Sequence, residues 1–426
     1  MSTARVEHFE RLRGTVRVPG DKSTSHRALM VSALAEGEST IRGLSPGLDV
    51  DATAQIIEQL GASRVVDDDV VTVVGPLEGL HASDTDLDCG NSGTTMRLMS
   101  GVVSAVPGAH RLVGDASLSK RPMDRVGEPL TLMGAHFEGR GDRLHAPLHI
   151  VGSNELHGID YVVPMASAQV KSAILFAALG ATGATTVVEH VRTRPTTEEM
   201  LSRAGVSVVS IDDDQGRRIA LQPGRPLARN WLVPGDPSQA AFFAVLGCIH
   251  PDAELDILEI DSARERNGFL DVLQRMGATL TLQASGAMTS LAVRSSELLA
   301  TDVHAREIPS VDEVPVLVVA ASAARGVSRF HDVGELRVKE SDRFEASLTL
   351  AQKLGCRAWS EGDDLFVEGL GSATRFVEFE IDAGLDHRMV MASAVAGCAG
   401  SGCSIGGANT VASSYPDFFD DLDRLS

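Results

Sequence analysis

Apolar and polar positions along this chain follow two patterns that alternate. The first is an amphipathic helical run that stops at a glycine and gives way to a β-rich stretch. It occurs at Ile57–Leu60 before Gly61, Leu130–Met133 before Gly134, Met200–Ala204 before Gly205, Leu273–Met276 before Gly277 and Ala351–Leu354 before Gly355. These glycines recur about every seventy residues, each where a residue of positive φ would close a helix. A sixth copy, Phe419 to Leu425, meets the end of the sequence before its glycine. The second pattern is a helix of small apolar residues behind a polar opening, starting near Ser23, Asn91, Ser167, Ser238, Asp312 and Asp386. Runs such as Ala240–Gly247 and Pro315–Ala321 are apolar nearly all round, which predicts buried helices, whereas the first series has polar faces and belongs outside. Strand-like runs such as Val70–Val74 and Asp364–Glu368 separate the helices.

Each repeat thus offers two helices and a few strands, and six repeats divide into two α/β domains of three. The polar stretch Pro223–Asn230 follows the third repeat and reads as a linker. The strand before Gly14 is unassigned by the repeat and could pair in either domain.

The openings of the buried helices carry the chemistry. The first runs Pro19-Gly20-Asp21-Lys22-Ser23-Thr24-Ser25-His26-Arg27, with a helix expected from Ser25 to Ala35 and ending ahead of Gly37. Free backbone N–H groups, hydroxyls, Lys22 and Arg27 at one helix start make a phosphate or carboxylate site. The second opening, Gly90–Arg97, has glycines that let backbone approach a ligand. The third is Ser167–Lys171, the fifth Asp312-Glu313, and the sixth Asp386-His387-Arg388. Two charged loops, Gly114–Met123 and Glu335–Arg343, occupy equivalent places in the two halves. In a helical turn Lys339 and Arg343 would share a face, with Glu340 beside them.

Charge sharpens this picture. Among 426 residues, 38 Lys and Arg stand against 58 Asp and Glu, a net charge of −20. That balance argues against a nucleic-acid or anionic-membrane partner, so any anion site owes its positive potential to local arrangement. Two Trp and two Tyr argue against a base-stacking surface. Cys89, Cys248, Cys356, Cys398 and Cys403 are odd in number and scattered, so reduced thiols in the cytoplasm are expected, and neither disulfides nor a metal site. The opening Met1–Arg5 lacks an apolar core, so no signal peptide is expected, and no apolar run reaches the roughly 18 residues of a membrane span.

The stretches Pro19–Leu29, Gly90–Leu98, Lys120–Met123, Ala166–Ala173, Asp312–Pro315, Glu335–Arg343 and Asp386–Met389 together resemble, in family order, the motifs of the enolpyruvyl transferases, and among them the EPSP synthases. The resemblance spans nearly the whole chain. It implies two similar domains, each of three β-α-β-α-β-β repeats around buried parallel helices: residues 14–226, and residues 1–13 with 227–426. Substrates would bind in the cleft between them. The implied reaction joins shikimate 3-phosphate to phosphoenolpyruvate and releases phosphate, with no metal or organic cofactor, in a cytoplasmic monomer whose only partners are small anions. Lys22, Ser23, Arg27, Ser167, Ala168, Gln169, Arg194, Asp312 and Lys339 would hold shikimate 3-phosphate. Lys22, Gly93, Arg121, Gln169, Arg343 and Arg388 would hold phosphoenolpyruvate, where glyphosate also binds in this family. Asp312, Glu340 and Lys22 would be catalytic. Arg192 stands two residues from Arg194 and competes for its role. Ser413 stands where many relatives carry a lysine. The alternatives are the sister transferase acting on UDP-N-acetylglucosamine and a non-catalytic phosphosugar binder. The first typically has Lys-Asn at Lys22-Ser23 and a cysteine within the loop 114–123; the second would be expected to lose the acid–base pair.

Overall fold

The computed structural model describes residues 2–214, 216–308, 311–371 and 375–426. They form two compact units, one of Met1–Asp21 with Pro234–Ser426, here the terminal unit, and one of Lys22–Val233.

Twelve helices alternate along the described residues: α1 (Lys22–Leu34), α2 (Leu48–Gln59), α3 (Gly93–Ser104), α4 (Asp124–Leu132), α5 (Ala168–Ala178), α6 (Thr196–Arg203), α7 (Pro237–Ile249), α8 (Gly268–Arg275), α9 (Val314–Ala323), α10 (Arg343–Lys353), α11 (His387–Ala399) and α12 (Phe418–Asp423). The odd-numbered helices are the small apolar ones and lie inside. Every residue of α11 is buried, as is α7 from Pro237 to Cys248. The even-numbered helices bury one face: α8 sinks Phe269, Leu270, Val272 and Leu273 and leaves Asp271 and Gln274 in solvent. Small residues are needed inside because the helix backbones nearly touch. A Cβ on Gly101 of α3 would lie 2.2 Å from the carbonyl oxygen of Ala173 in α5. No side chain fits there without separating the helices.

The repeated glycines close the outer helices. Gly61, Gly134, Gly205, Gly277 and Gly355 each follow the capping residue of an even-numbered helix, with φ between 84° and 107°. This is the left-handed turn that a side chain resists. The sixth outer helix, α12, ends at Asp423 with Arg424 as its capping residue, and Leu425 follows where the others have glycine.

Among the described residues, five four-stranded sheets and one three-stranded sheet complete the repeats. Within a repeat, an inner helix joins two parallel strands and an outer helix leads to an antiparallel hairpin. In the second repeat Leu87–Asp88 runs parallel to Gly108–Val113, which pairs antiparallel with His145–Gly152 and so to His136–Arg140. The first and fourth repeats exchange their first strands. Leu12–Val16 pairs in parallel with Ala253–Asp261, and Asn230–Leu232 pairs in parallel with Gly37–Arg42. Among the described residues no hairpin follows the sixth outer helix, and the N-terminal strand Thr3–Val6 pairs with Cys403–Gly406 in the sixth sheet position.

These pairings move the expected boundaries. Residues 14–21 stay with the terminal unit because the strand Leu12–Val16 pairs there, and residues 227–233 stay with Lys22–Val233 because Asn230–Leu232 pairs there. The stretch read as a linker therefore ends in a sheet strand. Helix α1 also starts at Lys22 rather than Ser25, which brings Lys22 and Ser23 into its first turn.

No helix among the described residues is long and apolar enough to cross a membrane. All five cysteines are buried free thiols, and burial pushes Cys248 and Cys403 up to about 12.

Candidate active site

In the 22–233 unit, the N-terminal ends of α1, α3 and α5 carry linked polar side chains. Ser92 caps α3 by accepting from the Thr95 amide, and Ser167 caps α5 by accepting from the Val170 amide. Lys22 Nζ lies 3.0 Å from Asp49 Oδ2, in the first turn of α2. Arg27 is buried, and its three nitrogens donate to Thr197 Oγ1 at 2.6 Å, the Ser23 carbonyl at 2.8 Å and Ser172 Oγ at 2.7 Å. Arg97 Nη1 donates to Gln169 Oε1 at 2.8 Å, and Gln169 Nε2 donates to Thr94 Oγ1 at 3.0 Å, lacing α3 to α5. Arg121 Nη2 donates to Asn91 Oδ1 at 2.9 Å. Gly93 faces both of these guanidinium groups: a Cβ there would lie 2.9 Å from Arg97 Nη1 and 3.1 Å from Arg121 Nη1.

Arg194 and Arg192 separate cleanly. Arg194 Nη1 donates to Ser23 Oγ at 3.3 Å, joining the opening of α1, whereas Arg192 Nη2 donates to the Asp213 carbonyl at 3.1 Å on the neighbouring hairpin. Of the two, Arg194 is the one brought to the other expected residues.

The terminal unit builds a different cluster at the openings of α9 and α11. Asp386 caps α11 by accepting from the Arg388 amide. Its carboxylate receives Arg343 Nε at 2.8 Å and Nη2 at 3.1 Å in a fork, with Ser341 Oγ at 2.8 Å. Arg343 Nη1 also reaches Asp312 Oδ1 at 2.9 Å, and its Nη2 lies 2.6 Å from Glu340 Oε2. Arg388 Nη2 lies 3.4 Å from Asp312 Oδ2. Burial would push the Asp312 carboxyl up, but Arg388, Arg343 and Lys339 outweigh it and hold the group well below the usual carboxylate range, against the opposing charge of Glu340. Arg343 is raised: burial opposes its charge, and Asp386, Glu340 and Asp312 more than compensate.

Lys339 and Arg343 do not share a helical face. Lys339 follows the 3-10 turn Gly334–Val338 and pairs with Glu335 at 2.8 Å, while Arg343 opens α10 and turns inward. Asp342 caps α10 between them and breaks the continuous helix on which the shared face depended.

Four supporting residues escaped assignment. Asp386 and Asn91 lie inside stretches already singled out by charge and glycine, so a signal existed. Asp49 and Thr197 sit in ordinary-looking helix starts, Gly47-Leu48-Asp49 and Thr196-Thr197-Glu198, and only the packing of α2 and α6 against α1 reveals them.

Residues 6–422 match the family model described as EPSP synthase (3-phosphoshikimate 1-carboxyvinyltransferase). The chain is 41% identical over 424 residues to a 3-phosphoshikimate 1-carboxyvinyltransferase of Bacillus cereus (strain 03BB102), covering 97% of each. It is 44% identical over 426 residues to one of Prochlorococcus marinus (strain MIT 9303), covering 97% of this chain and 96% of that one. Among solved structures, an EPSP synthase of Acinetobacter baumannii superposes with a TM-score of 0.86 at 36% identity, covering 100% of this chain and 98% of the other.

Proposed function

The chain belongs to the EPSP synthase family, the 3-phosphoshikimate 1-carboxyvinyltransferases, and on that premise we propose how its residues perform the reaction. The enolpyruvyl group of phosphoenolpyruvate passes to the 5-hydroxyl of shikimate 3-phosphate, and inorganic phosphate leaves. Lys22, Ser23, Arg27, Ser167, Ala168, Gln169, Arg194, Asp312 and Lys339 hold shikimate 3-phosphate. Lys22, Gly93, Arg121, Gln169, Arg343 and Arg388 hold phosphoenolpyruvate, its carboxylate and phosphate each suited to a guanidinium fork. The 5-hydroxyl attacks C2 as Asp312 takes its proton and Glu340 delivers one to C3. The tetrahedral intermediate then returns the C3 proton to Glu340 and expels phosphate beside Lys22.

One observation carries this reading: the two carboxylates with opposite tasks, Asp312 and Glu340, both rest on Arg343. A binder without chemistry has no use for that pair. The geometry also suggests how the base is switched on. Arg343 and Arg388, which hold the Asp312 carboxyl low, are the proposed grips on phosphoenolpyruvate. A substrate carboxylate that draws them to itself lets the Asp312 pKa rise toward a useful base strength. We assign the activity to a cytoplasmic monomer, a setting that suits five buried free thiols.

The deciding assay offers phosphoenolpyruvate with shikimate 3-phosphate or with UDP-N-acetylglucosamine, separately, and follows phosphate. Release with the first acceptor alone is expected. Release only with the second, or with neither, overturns the proposal.

A further inference from the structure

Lys171 in α5 is completely buried, and three acceptors surround its ammonium group. Glu189 Oε2 lies at 2.9 Å, Glu198 Oε1 at 2.7 Å and the Arg194 carbonyl oxygen at 3.0 Å. An ammonium has three protons to give, so these contacts use its whole donor capacity. Glu189 ends the strand Thr185–Glu189 and Glu198 lies in the first turn of α6; the segment between them, residues 190–195, carries Arg194. That segment is tied again at Thr193. Its hydroxyl donates to Glu189 Oε1, and its carbonyl accepts from Arg217 Nη1 at 3.3 Å. Arg217 stands 4.0 Å from Glu198 and is itself gripped by Asp212. Residues His190, Val191 and Arg192 are exposed, so little apolar packing fixes this segment. Its shape depends on the buried charges beneath it.

A buried ion group of this kind contributes little net stability compared with a well-packed apolar core, and is better explained by what it holds in place. We infer that Lys171, with Glu189 and Glu198, is a positioning residue that fixes the backbone at Arg194 and so aims its guanidinium at the opening of α1. The inference rests on the proposed role of Arg194 in holding shikimate 3-phosphate. Its consequence is selective, because the anchor supports one ligand-binding side chain. Loss of Lys171 weakens shikimate 3-phosphate and leaves phosphoenolpyruvate gripped as before by Arg121.

The test is a double-mutant cycle read by calorimetric binding of shikimate 3-phosphate, with KM for phosphoenolpyruvate measured alongside. Lys171→Met and Arg194→Ala, alone and combined, are compared with wild type after thermal melting confirms folding. Lys171→Met is expected to raise the Kd for shikimate 3-phosphate about tenfold, and to add less than about twofold once Arg194 is alanine. Should Lys171→Met not fold, Thr193→Val breaks the second tie without burying an unpaired charge. It is expected to raise the same Kd several-fold, again only while Arg194 is present. A loss that persists undiminished in the Arg194→Ala background marks a merely structural role and overturns the inference. So does an unchanged Kd in both Lys171→Met and Thr193→Val while Arg194→Ala binds poorly. An Arg194→Ala enzyme that binds normally overturns instead the role of Arg194 on which the inference stands.

Discussion

In the 22–233 unit, Arg27, Arg97, Arg121 and Arg194 donate to hydroxyl, amide and carbonyl oxygens; in the terminal unit, Arg266, Arg343 and Arg388 rest against carboxylates. The difference follows from what surrounds the inner helices. Ser92 and Ser167 cap α3 and α5 with neutral oxygens, whereas Asp236 and Asp386 cap α7 and α11 with charged ones. A neutral oxygen orients a guanidinium without cancelling its charge. Carboxylate partners cancel charge but bring groups that can exchange protons. On the proposed assignments both units supply anion-binding arginines, Arg121 and Arg194 in one and Arg343 and Arg388 in the other, while the two carboxylates proposed to exchange protons, Asp312 and Glu340, both belong to the terminal unit. The comparison is open to attack at four points.

The largest effect is expected at Glu340. Glu340→Gln keeps the shape but has no acidic proton for C3, so kcat should fall about 10²–10⁴-fold with the Kd for shikimate 3-phosphate little changed. Hydrogen exchange into the C3 methylene during turnover in heavy water, followed by mass spectrometry, should fall with it. Wild-type exchange in Glu340→Gln would remove Glu340 from that role and leave the terminal unit's carboxylate pair without its proton donor.

Gly93 tests the 22–233 unit. A methyl group there meets Arg97 Nη1 at 2.9 Å and Arg121 Nη1 at 3.1 Å, and these are side-chain tips that can shift but must then re-aim. Gly93→Ala should raise KM for phosphoenolpyruvate by up to about tenfold, within the usual range for a crowded contact. The inhibition constant of glyphosate, the longer molecule, should rise more. Equal losses for the two would refute the steric account.

Much of this was legible beforehand, for a physical reason. Helix endings demand glycine at one residue per repeat, and buried helices demand small apolar residues all round, so the sixfold architecture is written in local composition. The exchange of first strands is not. Leu12–Val16 and Asn230–Leu232 are both ordinary strand sequences, and which sheet each joins is decided by distant partners. The same limit applies at the site. Lys22, Gly93 and Arg388 announce themselves at helix openings. The buried pairing of Lys171 with Glu189 and Glu198 joins an apolar helix to two unremarkable acids, and nothing local links them. The misplaced face of Lys339 and Arg343 came from extending a helical period across Asp342, whose side chain caps a new helix instead.

A smaller effect concerns Asp312 and pH. Its folded pKa lies below the unfolded value of about 3.9, so its interactions stabilise the fold above that pH. That contribution is lost progressively as pH falls from about 3.9 toward the lower folded pKa. Asp312→Asn should therefore melt below wild type at pH 7, with the gap narrowing in acid as the wild-type carboxyl is protonated. A gap that stays constant from pH 7 to below pH 3 would show that the arginines do not hold Asp312 as described.

The smallest expected effect is the most pointed, because it separates two arginines that the sequence could not. Arg192 is exposed; it donates to the Asp213 carbonyl and lies 3.8 Å from Asp212 Oδ2. A solvent-exposed pair of that length is worth about 0–1 kcal/mol, and the Arg217–Asp212 contact at 2.8 Å remains to hold the hairpin. Arg194 instead leaves the same segment in the opposite sense, toward Ser23 Oγ and the first turn of α1. Arg192→Ala should then change the Kd for shikimate 3-phosphate by less than about twofold and leave melting within the error of surface substitutions. Arg194→Ala should weaken the same ligand about tenfold or more, the scale of a lost charge-assisted hydrogen bond. Calorimetric titration of both variants at two salt concentrations checks the pair. If Arg192→Ala proves the more damaging, the contact of Arg194 with Ser23 is not where the phosphate sits, and the comparison has been drawn around the wrong arginine.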